Sequence, residues 1–378
     1  MRRSSWKLPR PTVRSGLLLA PALAAAALAP ASAGAATQQL LGRTSGGGLP
    51  NGVASEPDIS RDSRINRYVA YTSTATNIAS GVQAGRRNVY LVRRTGTATR
   101  QGNPWQVGPT TLVSRGLGGA PANGDSWGAR LSGFTGRADA PGGPRLVAFL
   151  SDASNLVRGG TSTASAYVRK VSGGRITRIS APGTATGVDV SGDSKVVWVT
   201  TTEGLYRWTG KKAKRIKRGS GFGSPSTNAI GNQVVYERKG TVYLATSKGG
   251  SKRIGRGTRP DADDGSNAKK IRAVAFTRGG GAYRAILGRR VRTERFGSTS
   301  TPAAINAGAS AIAFGQGGDV RLQVKVLDSG KAGGYARPQG SCPSGQGAVT
   351  GVAVSTRYNY LAFACARGGL YLSYVGGK

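Results

Sequence analysis

The chain has 378 residues, with 54 Lys and Arg against 16 Asp and Glu, no His, and a formal charge of +38. The missing histidine excludes Ser-His-Asp and Cys-His catalysis and every His-based metal site. The 60 glycines are scattered among short apolar runs rather than gathered in one linker, which fits a single closed assembly of short strands.

Residues 1–35 read as a secretion signal peptide. Arg2, Arg3, Lys7, Arg10 and Arg14 precede an apolar run from Leu17 to Leu28, and Ala33-Gly34-Ala35 supplies small residues for cleavage. The general secretory route is preferred to twin-Arg export, because Ser5 and Trp6 stand where that signal has Phe and Leu. No later stretch is apolar for long enough to form a membrane helix. The expected location is exported: periplasmic, cell-wall-associated or extracellular. Cys342 and Cys365 are the two cysteines, and an even count in an exported chain predicts a disulfide.

Residues 36–378 are expected to form one repeat domain. Val69-Ala70-Tyr71-Thr72-Ser73, followed by Asn77-Ile78, returns as Val147-Ala148-Phe149-Leu150-Ser151, followed by Asn155-Leu156. Self-similarity over tens of residues means stacked supersecondary units. Each unit has an inner strand with Ser, Thr or Pro, an apolar strand, a strand with Tyr or Leu, and a basic outer strand. Unit one runs from Pro57 to Ser114 and unit two from Ala129 to Ser180. Later units open at Gly187, Ser224, Arg259, Thr301 and Gly351. The outer strand of unit six is expected near Tyr335. Unit seven reaches Lys378 one strand short. The segment from Gln38 to Ser45, with its Gly-rich exit, is similar to the last strand and exit of unit one, so it is expected to complete unit seven. The fold is therefore expected to be all-β: a single β-propeller of seven four-stranded blades, closed by the N-terminal strand. Six blades is the alternative. Because neighbouring strand residues face opposite sides, the aromatic of each Ala-Phe or Ala-Tyr pair should fill the space between blades.

The unit resembles the TolB-type, WD-like propeller repeats of exported bacterial proteins. The carriers are Pro57-Asp58-Ile59-Ser60-Arg61-Asp62-Ser63 followed by Val69-Ala70-Tyr71-Thr72-Ser73, with Val190-Ser191-Gly192-Asp193-Ser194 as a permuted copy. The resemblance implies the fold and carries no activity with it.

No Gly-x-Ser-x-Gly elbow and no phosphate loop is present, so an enzyme is not expected, nor a cofactor or a metal. Asp261-Ala262-Asp263-Asp264-Gly265 looks like the start of a calcium loop, but Arg272 stands where such a loop needs Glu, and a turn is expected. Glu56, Asp58, Asp189 and Asp261 lie on or near inner strands. They are expected to satisfy loop backbone groups; a carboxylate-dependent glycan hydrolase or lyase is the alternative function. Trp198 and Trp208 are expected in the core.

The charge is uneven. Residues 205–295 hold 23 Lys and Arg against 5 Asp and Glu. Lys211, Lys212, Lys214, Arg215, Lys217, Arg218, Lys252, Arg253, Arg256, Arg289, Arg290 and Arg292 fall on expected outer strands of three consecutive units. They form a candidate polyanion-binding rim, set against a purely protective role at exposed sheet edges. The expected protein is a monomeric, non-catalytic scaffold. Its partner would be a protein or an anionic envelope polymer, with nucleic acid only as a non-specific ligand.

Overall fold

A computed structural model describes residues 37–61, 66–95, 106–133, 145–263, 269–325, 327, 332–334 and 338–375. It is a seven-bladed β-propeller, and each blade is an antiparallel sheet. Blade one comprises Ala54–Ile59, Tyr68–Ser73, Asn88–Thr95 and Gln106–Leu112, from the inside outward. Blade two comprises Ser126–Leu131, Leu146–Ser151, Ser165–Lys170 and Ile176–Ile179. Blade three is Ala185–Val190, Val197–Thr201, Gly204–Trp208 and Ala213–Arg218. Blade four is Phe222–Thr227, Gln233–Arg238, Thr241–Thr246 and Ser251–Arg256. Blade five is Thr258–Ala262, Ala273–Arg278, Gly281–Leu287 and Val291–Ser298.

Blade six has the short inner strand Ala304–Ile305, then Ala311–Gln316 and Asp319–Lys325. Two pieces, Ala332–Gly334 and Gly340–Ser341, share the outer position. Tyr335, where this strand was expected, lies outside the described residues. Blade seven takes Val349–Val354, Tyr360–Cys365 and Leu370–Tyr374 from the end of the chain and Thr37–Leu40 from its start. The ring therefore closes as the sequence implies, with a shorter strand than expected. The six-bladed alternative is excluded. The expected signal peptide, residues 1–35, lies outside the described residues.

The core follows from strand alternation. In blades one, two, four, five and seven the second-strand aromatic stands opposite a third-strand tyrosine. The ring centroids are 5.6 Å apart for Tyr71–Tyr90, 5.7 Å for Phe149–Tyr167 and 5.5 Å for Phe363–Tyr371. These cross-strand pairs fill the gap to the preceding blade. Phe149 and Tyr167 of blade two pack with Ala70, Val89 and Leu91 of blade one, while Phe276 of blade five packs with Val235 and Val242 of blade four. The small residue beside each aromatic, such as Ala70, Ala148 or Ala275, faces the next blade and leaves room for its ring. Trp198 is fully buried and donates its indole N–H to Gly231 O at 3.1 Å, so it is a core residue, as is Trp208.

A second rule holds in all seven blades. The residue just after each inner strand is a buried Ser, Asn or Asp: Ser60, Ser132, Ser191, Asn228, Asp263, Asn306 and Ser355. Each side-chain oxygen accepts a backbone N–H at the entry to the second strand. The donors include Tyr68 to Ser60 at 3.0 Å, Val196 to Ser191 at 3.0 Å, Ala311 to Asn306 at 2.8 Å and Tyr360 to Ser355 at 3.0 Å. A short polar side chain suits that position, because it is itself buried and can reach the nearby backbone donors.

The two clear copies in the sequence share a further clasp. Asn51 exchanges hydrogen bonds with Thr76 and Asn77, and Asn123 does the same with Ser154 and Asn155. The glycine after each Asn lies against the chain it clasps: a Cβ on Gly52 would come within 2.3 Å of the Ala75 nitrogen, and one on Gly124 within 2.8 Å of that of Ala153. The Cys342–Cys365 disulfide, with a Cα–Cα distance of 5.9 Å, ties the outer edge of blade six to the second strand of blade seven. Among the described residues no helix is long and apolar enough to cross a membrane.

Candidate functional site

All seven blades meet at a central cavity of about 330 Å³. Its shape depends on irregular inner strands. Pairing shifts register within the inner strand of six blades, for instance between Ser55 and Asp58 and between Thr258 and Asp261. Such bulges turn side chains away from the regular pleat. Glu56, Ser224 and Arg259 sit at these bulges with φ of 50°, 44° and 50°, and all three line the cavity. Non-glycine residues in the left-handed region carry strain, which concentrates at functional positions.

The penultimate residue of each inner strand forms a ring in blade order: Asp58, Arg130, Asp189, Ser226, Asp261, Ala304 and Ala353. Blades one to five present polar or charged groups, and blades six and seven present two alanines. Glu56 and Arg61 add to the polar side, while Pro302 and Val352 add to the apolar side.

The carboxylates stitch blades together. Leu131 N donates to Asp58 Oδ2 at 2.6 Å, Thr227 N to Asp189 Oδ2 at 2.7 Å, and Ile305 N to Asp261 Oδ2 at 2.9 Å. In each case an odd-numbered blade caps the inner edge of the next blade. Gly128 N likewise donates to Glu56 Oε2 at 2.8 Å. From sequence these carboxylates were expected to satisfy loop backbone groups, and the structure corrects that expectation. They satisfy donors on neighbouring inner strands, because an innermost strand has one edge without a sheet partner. Arg61 crosses the cavity to Asp261 at 3.3 Å.

Burial pushes the Asp58 carboxyl upward and that of Asp189 up to about 7, although Arg130 and the backbone donors pull both back. Burial acts to lower the Arg130 guanidinium, but Asp58 and Asp189 outweigh it and raise it. Arg130 and Arg61 were not singled out from sequence. Aligning the ring position across blades would have found Arg130. Arg61 comes from the turn after the inner strand of blade one and reaches Asp261 of blade five only through ring closure.

Asp261 and Asp263, which began the apparent calcium loop, are split between two tasks. Asp261 faces the cavity, while Asp263 accepts from Arg272 N at 2.7 Å and Ala273 N at 2.9 Å. Asp264 lies outside the described residues.

The twelve rim residues lie along the outer edges of blades three, four and five, and all but Lys217 are exposed. Lys211, Lys212, Arg289 and Arg290 stand in the turns leading into the outer strands rather than on them. Lys252 donates to Gly288 O at 3.2 Å, which links the edge of blade four to that turn of blade five. Among the described residues Arg292 alone of the twelve sits in an ion pair, with Glu294 at 3.6 Å.

No family model matches this chain, and no curated protein does. What is established is therefore the fold and the placement of these groups.

Proposed function

We propose that this protein is an exported, non-catalytic propeller scaffold, akin to the TolB-type repeats, that binds an anionic envelope polymer or an acidic protein face. The observation that carries this reading is the rim: eleven exposed cations and one part-buried one along three consecutive blade edges, with one ion pair among them. Clustered positive charge with free donors attracts polyanions and releases their counterions. The disulfide supports a compartment outside the reducing cytoplasm.

Heparin is a suitable probe polyanion. Its affinity for the protein should fall linearly with salt on a log–log scale. Replacing Lys214, Arg215, Lys252 and Arg253 by Gln should lower the magnitude of that slope by up to about one unit for each cation removed. Salt-insensitive binding, or an unchanged slope in the quadruple variant, would remove the rim from the reading.

A second reading rests on the raised Asp189 carboxyl, which shares the central cavity with Asp58, a pattern that active sites share. It would be a glycan hydrolase or lyase. A broad polysaccharide panel tests it: turnover lost in Asp189→Asn supports it, and no turnover by the native protein removes it.

A further inference from the structure

The cavity contains complementary groups that the scaffold uses only in part. Asp58 and Asp189 each engage one oxygen, Oδ2, on a neighbouring backbone N–H. Among the described residues their Oδ1 atoms have no hydrogen-bond partner, and both side chains line the cavity. Arg130 lies between these two aspartates in ring order and makes one hydrogen bond, from Nη1 to Ala129 O at 3.1 Å. Among the described residues the rest of its fork of donors makes no hydrogen bond, although Asp58, Asp189, Glu56 and Asp261 all act on its charge. Across the ring, Ala303, Ala304, Val352 and Ala353 make a small apolar wall.

We propose that the cavity binds a free α-amino acid with a small uncharged side chain. Its carboxylate would lie on the Arg130 guanidinium, its ammonium on the open oxygens of Asp58 and Asp189, and its side chain against the alanine wall. The match is in charge, size and asymmetry. A guanidinium fork suits a carboxylate, and its planar geometry selects orientation. An ammonium on the two aspartates adds a second cation to a carboxylate pair that Arg130 offsets from one side. A purely anionic ligand would meet those same carboxylates, and a purely cationic one would meet Arg130. Only a zwitterion satisfies both. The volume of about 330 Å³ is at the small end of ligand pockets, as an amino acid requires. This site is separate from the rim, so it goes beyond the scaffold reading and can fail without it.

Isothermal titration calorimetry tests the proposal, with L-alanine, L-serine and L-valine as probes and propionate and propylamine as half-ligands. At least one amino acid should bind, and each half-ligand should bind at least about tenfold more weakly, since it carries only one of the two charged groups. Arg130→Gln and Asp189→Asn should each weaken the amino acid by about tenfold or more. Ala353→Leu fills the apolar wall without touching a charge, and it should abolish binding in a protein that melts as the native one does. Half-ligands that bind as tightly as the amino acids, or no binding by any of the three, would overturn the proposal.

Discussion

Asp263 shows how one residue can join the repeat and make stability depend on pH. It holds the turn-capping position that Ser or Asn fills in the other six blades, and its side chain is fully enclosed. Burial pushes its carboxyl up to about 7, against the pull of the Ala273 and Arg272 N–H groups and of the Arg272 side chain. The folded chain therefore keeps a proton that the unfolded chain releases near its ordinary 3.8. Between about pH 4 and 7 the unfolded state binds fewer protons, so stability falls as pH rises, by up to about 1.4 kcal/mol per pH unit for each such proton. Asp189, also at about 7, acts in the same direction. The melting temperature should thus drop from pH 5 to pH 8. Asp263→Asn should fold, because Asn228 and Asn306 do the same work in the flanking blades. It should also flatten much of that drop. A variant with the native pH slope would show that Asp263 is ionised in the fold throughout this range.

At the scale of the strand pair, the aromatic partners fix how blades stack. Phe276 is buried, lies 5.7 Å from Tyr283 and fills the gap to blade four. Phe276→Ala should cost about 3–5 kcal/mol by urea denaturation, as other large-to-small changes in cores do. Tyr283→Ala should cost less, because that ring is part-exposed and packs under the Arg278 guanidinium at 4.2 Å. Equal costs would mean that the pair, rather than the gap between blades, sets the stability. These pairs also explain what could be read from the sequence. Val-Ala-Tyr, Val-Ala-Phe and Leu-Ala-Phe are local patterns that report strand, face and blade at once. The outer strand of blade six could not be read, because it is shared by two pieces only two and three residues long. The cavity was half legible. Its acids stood out in so basic a chain, but Arg130 was hidden among many arginines. The next-blade donors of the carboxylates could not be seen in any local window, because Asp58 and Leu131 are 73 residues apart.

At the scale of the whole ring, the two ends of the chain meet in a seam made by four residues. Thr37–Leu40 pairs with Leu370–Tyr374, from Thr37 opposite Tyr374 to Leu40 opposite Tyr371. Leu41 follows, donates its N–H to Leu370 O at 2.8 Å and is wholly buried beside Tyr71 and Leu372. Burying that leucine alone contributes about 2–3 kcal/mol. The seam also joins ends more than 300 residues apart, so forming it carries the entropy cost of closing a long loop. A chain that begins at Gly42 leaves Leu370–Tyr374 as an open edge, with an apolar groove where Leu41 was. Such an edge invites pairing with another chain. This truncated protein should melt lower than the native one, and gel filtration should show it shifting to dimers or larger species as concentration rises. A synthetic peptide of residues 36–45, added in excess, should occupy the edge, reverse that shift and raise the melting temperature in proportion to the logarithm of its concentration. A truncated chain that elutes and melts as the native protein does would mean that the blade is complete with three strands. The seam would then be an edge cover rather than the lock of the ring.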